Sequence, residues 1–166
     1  KAVGVIDVDG GRRLAEMRPH AATVPAVVGA DADWTAGESQ TTEYGTQTFI
    51  VHGPHGLTVE VELPILGRFN VANALVALAA VDALGVDVRA AAVGLTRVRV
   101  PGRLEPVVRG QDFRVLVDYA HKPGAVAAVL TSVRAQTQGR IAVVLGAGGD
   151  RDSAKRELMG AAAADV

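Results

Sequence analysis

Beyond residue 101, two uninterrupted apolar runs, FRVLVDYA at 113–120 and RIAVVLG at 140–146, alternate with stretches of helical pattern at 123–134 and 153–166. This alternation constrains the fold more than any other feature. A strand that is apolar on both faces must be covered on both, which is the situation of a strand in a parallel sheet flanked by helices. The reading is an α/β fold in which the second part of the chain contributes parallel strands to a doubly wound sheet. Pro101-Gly102 interrupts the preceding pattern. Such a pair breaks regular structure, so a domain boundary is placed there, dividing the chain into 1–100 and 101–166.

The pattern before the boundary differs. QTFIVHG and LTVEVEL are joined through Gly-Pro-His-Gly, a hairpin signal. In the second run Leu57, Val59, Val61 and Leu63 alternate with Thr58, Glu60 and Glu62, the period of a strand with one buried face. Residues 3–8 and 21–29 read as further strands, the latter restricted to an edge or bulge by Pro25, with a short helix over 10–17 between them. Residues 31–46 are polar and loop-like. A helix apolar on nearly all sides is predicted over 69–84, closed by Gly85, and a second over 88–98 with Asp87 as its N-cap.

Composition narrows the function classes. Apolar residues make up 49% of the chain, enough for a real core, and the formal net charge of −1 offers no field for nucleic acid or an anionic membrane. The single tryptophan, Trp34, sits in a polar stretch, and no row of aromatics runs through a basic patch. Cysteine is absent, which removes disulfides and thiolate metal sites and fits a reducing cytoplasm. The start has no secretory pattern. The apolar run 71–86 is interrupted by Asn73 and Asp82 and falls short of the about 18 residues that span a bilayer. Because the chain opens in a strand pattern and stops in a helix pattern, it reads as an excerpt.

Chemistry in open parallel sheets gathers beyond the carboxyl ends of strands. Asp118 and His121 follow the first apolar run and could hold a ribose hydroxyl or a phosphate; the bland alternative is an Asp capping the helix near Pro123 beside a solvated His. Gly146, Gly148 and Gly149 precede Arg151 at the second. Glycines there admit a ligand close to the backbone, and a guanidinium can clamp a carboxylate, although a tight turn and a surface ion pair to Asp150 or Asp152 would explain the same residues. The spacing is neither a Walker loop nor a good dinucleotide fingerprint. Asn70 is the expected N-cap of the first long helix. Asn73, one turn on, is expected to be a buried amide that pairs with a ligand or a neighbouring loop. Arg103 could reach across a domain interface or simply pair with Glu105. His20, His52 and His55 lack ligand-like spacing and read as surface or turn residues.

The order GRFNVANALVALAA, VPGRLEPV, VLVDYAHKPGAV and VVLGAGGDRDSAKRELMG resembles the Mur ligases, the ATP-driven amino-acid-adding enzymes of peptidoglycan synthesis. The likeness is sharp from about residue 66 onward and weaker before it. It implies that 1–100 is the end of a central ATP-binding domain, a β-hairpin layer with helices, and that 101–166 begins a Rossmann-like, amino-acid-binding C-terminal domain. It implies ATP and Mg²⁺ as cofactors, and UDP-N-acetylmuramoyl dipeptide and meso-diaminopimelate as substrates, joined through an acyl phosphate. It places Asn73, Arg103, Asp118 and His121 at the nucleotide and Arg151 at the carboxylate of the incoming amino acid. No catalytic or metal-binding residue is assigned within this chain, and no nucleic-acid partner or membrane span is expected. The family's Gly-Lys-Thr phosphate loop is expected upstream and its Asp-Asn-Pro-Arg motif downstream, so the chain alone is expected to be inactive. The run Gly-Gly-Asp-Arg-Asp leans toward diaminopimelate over lysine, while the deciding motif lies outside. Two other readings compete: a dinucleotide-binding oxidoreductase domain and a non-catalytic interaction module.

Overall fold

The structure is a computed structural model that describes residues 3–5, 13, 16–17, 22–24, 32–42, 45–148 and 154–165. The chain divides into two compact units, Lys1–Val100 and Pro101–Val166.

The first unit is organised by a hairpin. Strands β5 (Gln47–Gly53) and β6 (Leu57–Leu63) pair antiparallel from Gln47↔Leu63 to Gly53↔Leu57. The three residues between them, Pro54–Gly56, form a single 3-10 turn in which His55 (φ 59°) and Gly56 (φ 74°) are both left-handed. Positive φ at successive turn residues matches the right-handed twist of the strands, which is why a Pro-His-Gly connection closes here. The alternation in β6 translates directly into burial: Val59, Val61 and Leu63 face the core, and Thr58, Glu60 and Glu62 face water. Two short strands, β3 (Thr35–Ala36) and β4 (Gln40–Thr41), pair with β5 from its other side. The stretch 31–46, expected as a polar loop, therefore carries sheet structure where it is described. Trp34 is the reason: it is 1% exposed, joins the core, and lies so close to Gly53 that a Cβ there would stand 3.1 Å from its ring.

Helices cover the sheet's apolar face. Helix α1 (Arg68–Ala83) buries Val71, Ala74, Leu75, Leu78 and Ala79 against Phe49, Val51, Val59 and Val61, and α2 (Val88–Leu95) adds Val88 and Ala92. Both helix ends follow from local chemistry. Gly85 (φ 80°) ends α1, its N–H donating to the Asp82 carbonyl at 2.8 Å and that of Val86 to Val81 at 3.0 Å, the paired bonds of a Schellman cap. Asp87 Oδ1 accepts from the Arg89 N–H at 2.9 Å and caps α2. Strands β1 (Val3–Val5) and β2 (Ala22–Val24) pair parallel and lie against α1. Residues 13, 16 and 17 are helical, on the segment expected to be a helix. The remainder of the expected strands 3–8 and 21–29 lies outside the described residues.

At the start of α1 the N-cap position belongs to Gly67 (φ 102°), and Asn70 is the third helical residue rather than the cap. A Cβ on Gly67 would stand 2.7 Å from the ring of Phe69, in a backbone region that L residues rarely adopt. Left-handed backbone costs about 1–2 kcal/mol and overpacking about 1–3, so Gly67→Ala is expected to lower the stability of the first unit by about 2–4 kcal/mol. Urea unfolding followed at Trp34 fluorescence checks this; a loss below about 0.5 kcal/mol, the range of ordinary surface substitutions, contradicts it.

The second unit departs from expectation in its strands but not in its helices. Helix α3 spans Pro123–Arg134, with proline in the first turn where its missing N–H costs nothing, and α4 spans Ala154–Ala164. They pack through Val126, Leu130 and Met159, with Ala120, Ile141 and Ala147 against the cluster. The continuous parallel strands expected at 113–120 and 140–146 are not formed. In the first run only Leu116–Val117 (β8) is a strand, and it pairs antiparallel with β7 (Glu105–Pro106). Residues 140–146 have no strand pairing, and Val144 is 99% exposed. A central parallel strand depends on neighbours delivered by long crossovers, whereas the 105–106 partner is reached by a short loop. An apolar run specifies a buried strand only where such neighbours stand beside it.

Candidate functional site

In the first unit the candidate is Asn73, and the structure corrects its environment. Its side chain is exposed, not buried. Helix α1 looks apolar all round because Ala77 and Ala80 share its outer face with Asn73, while Val71, Leu75 and Leu78 face the sheet. The Asn73 amide is nevertheless held. Nδ2 donates to Asn70 Oδ1 at 3.2 Å, and Asn70 Nδ2 donates in turn to the Leu66 carbonyl at 2.7 Å. An amide so oriented keeps its own oxygen and one N–H for a ligand.

Gln47 was not singled out in the sequence, and it is the buried polar residue of this region. At 2% exposed, it donates through Nε2 to the carbonyls of Ile65 (2.6 Å) and Gly67 (3.2 Å). The signal was present: Gln47 shares the inward parity of Phe49 and Val51 on β5, so a polar side chain there had to find internal partners.

In the second unit the structure brings Arg103, Asp118 and His121 together with Tyr119. Asp118 does not cap α3. Its Oδ2 accepts from the Leu104 N–H at 2.9 Å and its Oδ1 from the Ala120 N–H at 2.8 Å, joining the 101–104 turn to the 118–121 loop. Leu104 is buried and left-handed (φ 47°), an uncommon state for a branched residue that this carboxylate helps to hold. Glu105 is occupied otherwise, Oε2 accepting from the Gly102 N–H at 2.8 Å. Arg103 instead lies over the Tyr119 ring, Cζ 5.2 Å from its centroid. The ring is also tilted against His121, with centroids 5.0 Å apart, and His121 Nδ1 is 3.0 Å from the Tyr119 carbonyl oxygen. All three side chains are exposed. A guanidinium held over an aromatic face keeps N–H groups for an anionic group such as phosphate. Nothing in the sequence marks Tyr119 as a site residue; its place between Arg103 and His121 exists only in three dimensions.

Gly146, at the end of the second apolar run, and Gly148 beyond it are exposed. Arg151, with Gly149 and Asp150, lies outside the described residues, as does His20. His52 is exposed with Nδ1 3.4 Å from Thr58 Oγ1, and His55 sits in the hairpin turn. Among the described residues no group of three or more His, Cys, Asp or Glu side chains could hold a metal ion. No helix among them is long and apolar enough to cross a membrane.

The family described as "Mur ligase, glutamate ligase domain" matches residues 102–166, the span that holds Arg103, Asp118 and His121. The second unit carries this match, and the chain as a whole is similar to Mur ligases. It is 48% identical over 160 residues to the UDP-N-acetylmuramoyl-L-alanyl-D-glutamate–2,6-diaminopimelate ligase of Corynebacterium glutamicum, a match covering 96% of this chain and 31% of that protein. A solved structure of a ligase of that same name shares 30% identity and a TM-score of 0.66 over 99% of this chain and 35% of its own. Folylpolyglutamate synthase of Mycobacterium tuberculosis, solved with ADP and AMPPCP, shares 27% identity and a TM-score of 0.58 over 74% of this chain and 27% of its own. The chain thus spans about a third of the length of the relatives it matches.

Proposed function

We propose that this chain is part of an ATP-dependent ligase that joins meso-diaminopimelate to UDP-N-acetylmuramoyl-L-alanyl-D-glutamate in the cytoplasm during peptidoglycan synthesis. The observation that carries the reading is the 48% likeness to a ligase of that name, which runs through both units rather than one motif. The reaction passes the γ-phosphoryl of ATP to the D-glutamate carboxylate. The amine of the amino acid attacks the resulting acyl phosphate, and the amide forms as inorganic phosphate leaves.

The residues of this chain bind and orient. Asn73 offers an amide edge to adenine. Arg103 offers charge to the phosphates, and Asp118 retains lone pairs beyond its two backbone bonds for a ribose hydroxyl, with His121 beside it. Arg151 offers a guanidinium to a carboxylate of the incoming amino acid. Mg²⁺ would neutralise phosphate charge; among the described residues no group of three or more His, Cys, Asp or Glu gathers to hold it, and no step is routed through it.

The test is phosphate release by the intact enzyme with each substrate omitted in turn, and with L-lysine in place of diaminopimelate. Turnover that requires the muramoyl dipeptide nucleotide and diaminopimelate together is expected; release that ignores either would sink the reading. Arg151→Ala is expected to raise the KM for diaminopimelate by about one to two decades, the loss of a charge-assisted hydrogen bond, with the KM for ATP unchanged. A change confined to ATP would contradict that role.

A further inference from the structure

We propose that Gln47 is a positioning residue for the Asn73 amide, acting from the sheet through the segment 65–67. The inference rests on the adenine-facing role proposed above for Asn73. The connection is continuous: the buried Gln47 Nε2 holds the carbonyls of Ile65 and Gly67 from below. The carbonyl between them, on Leu66, accepts from Asn70 Nδ2, and the Asn70 N–H donates to Gly67 O at 2.9 Å. With its Nδ2 turned to Leu66, Asn70 directs Oδ1 toward Asn73, whose Nδ2 donates to it.

The arrangement selects one of two amide orientations. A flip of Asn73 would exchange its donor and acceptor toward any ligand. Adenine presents an N6 donor beside an N7 acceptor, so a bidentate asparagine contact depends on which way the amide points. Asn73 is exposed and has no packing of its own to decide this. The decision is made inside the fold, where Gln47 fixes the carbonyl directions. Gly67, the one residue of the segment with φ of 102°, lets the chain place these carbonyls toward both partners.

The test is a double-mutant cycle in the intact ligase, supported by NMR on the 166-residue chain. Gln47→Met keeps the length of the side chain and removes both donated bonds. It is expected to raise the KM for ATP about three- to tenfold, with kcat within about twofold, and to add nothing in an Asn73→Ala background. An equal rise in both backgrounds would show that Gln47 acts on something else and overturns the proposal. If Gln47→Met does not fold, Asn70→Ala breaks the same relay from its outer side; its effect on the KM must likewise vanish with Asn73→Ala, or the proposal fails. In the NMR spectrum Gln47→Met is expected to shift the side-chain amide signals of Asn70 and Asn73 while the backbone signals of α1 beyond Leu75 stay in place. Should Asn73→Ala leave the KM for ATP untouched, the adenine role is wrong. The amide signals then decide the positioning alone, and signals that do not move overturn it.

Discussion

Asp118→Ala is expected to destabilise the second unit by about 2–3 kcal/mol and to release the amides of Leu104 and Ala120 to solvent exchange. Each lost bond is charge-assisted, worth about 1.5–3 kcal/mol, and Asp118 is half-buried, which places both near the lower limit. The larger consequence lies in what those bonds arrange. Once Leu104 is free to leave its left-handed conformation, Arg103 need not stay over the Tyr119 ring. In the intact ligase, Asp118→Ala and Arg103→Ala are each expected to raise the KM for ATP by about one to two decades, as removal of a charge-assisted contact does. Arg103→Lys should recover little of this, because an ammonium neither stacks flat on tyrosine nor presents a forked edge. Hydrogen exchange at Leu104 and Ala120 in the 166-residue chain reads the first effect, and steady-state kinetics with ATP varied read the second. Protected amides in Asp118→Ala would remove the structural half of the argument. An unchanged KM in Arg103→Ala would remove the functional half.

The 166-residue chain by itself is expected to release no phosphate above a no-protein control when mixed with ATP, Mg²⁺, the muramoyl dipeptide nucleotide and diaminopimelate. Phosphoryl transfer is stabilised mainly by a phosphate-binding loop with its lysine and by the metal. The sequence contains no Gly-Lys-Ser/Thr, and its described residues contain no three-ligand cluster. Because whole-enzyme acceleration spans many decades, the contrast with the intact protein should be the largest effect measured on this molecule. Turnover by the chain alone would mean that residues of these two units carry the chemistry, and the division of labour proposed above would fall.

The parts of the fold that depend on short-range rules were legible in the sequence. The period-2 pattern of β6 needs only its own residues, and Gly85 and Asp87 close and open helices through bonds to neighbours two to five positions away. Helix α3 was legible for the same reason, with Pro123 pre-set for a first turn. The candidate loop 118–121 could be found because motif order names its residues, but not what Asp118 binds. Leu104 is 14 positions away, and no periodicity relates the two.

What the sequence by itself determined was therefore local: the hairpin, the helices with the caps at Gly85 and Asp87, and the identity of the residues that line the candidate loops. Tertiary structure decided the rest. It turned Asn73 outward, beside Ala77 and Ala80, by seating Val71, Leu75 and Leu78 of α1 on the sheet. It drew Trp34 out of a polar stretch into the core, and it assembled Arg103, Tyr119 and His121 around one ring. It also left the apolar run 140–146 unpaired, since hydrophobicity makes a segment seek cover but cannot supply the neighbouring strand whose N–H and C=O groups would complete it.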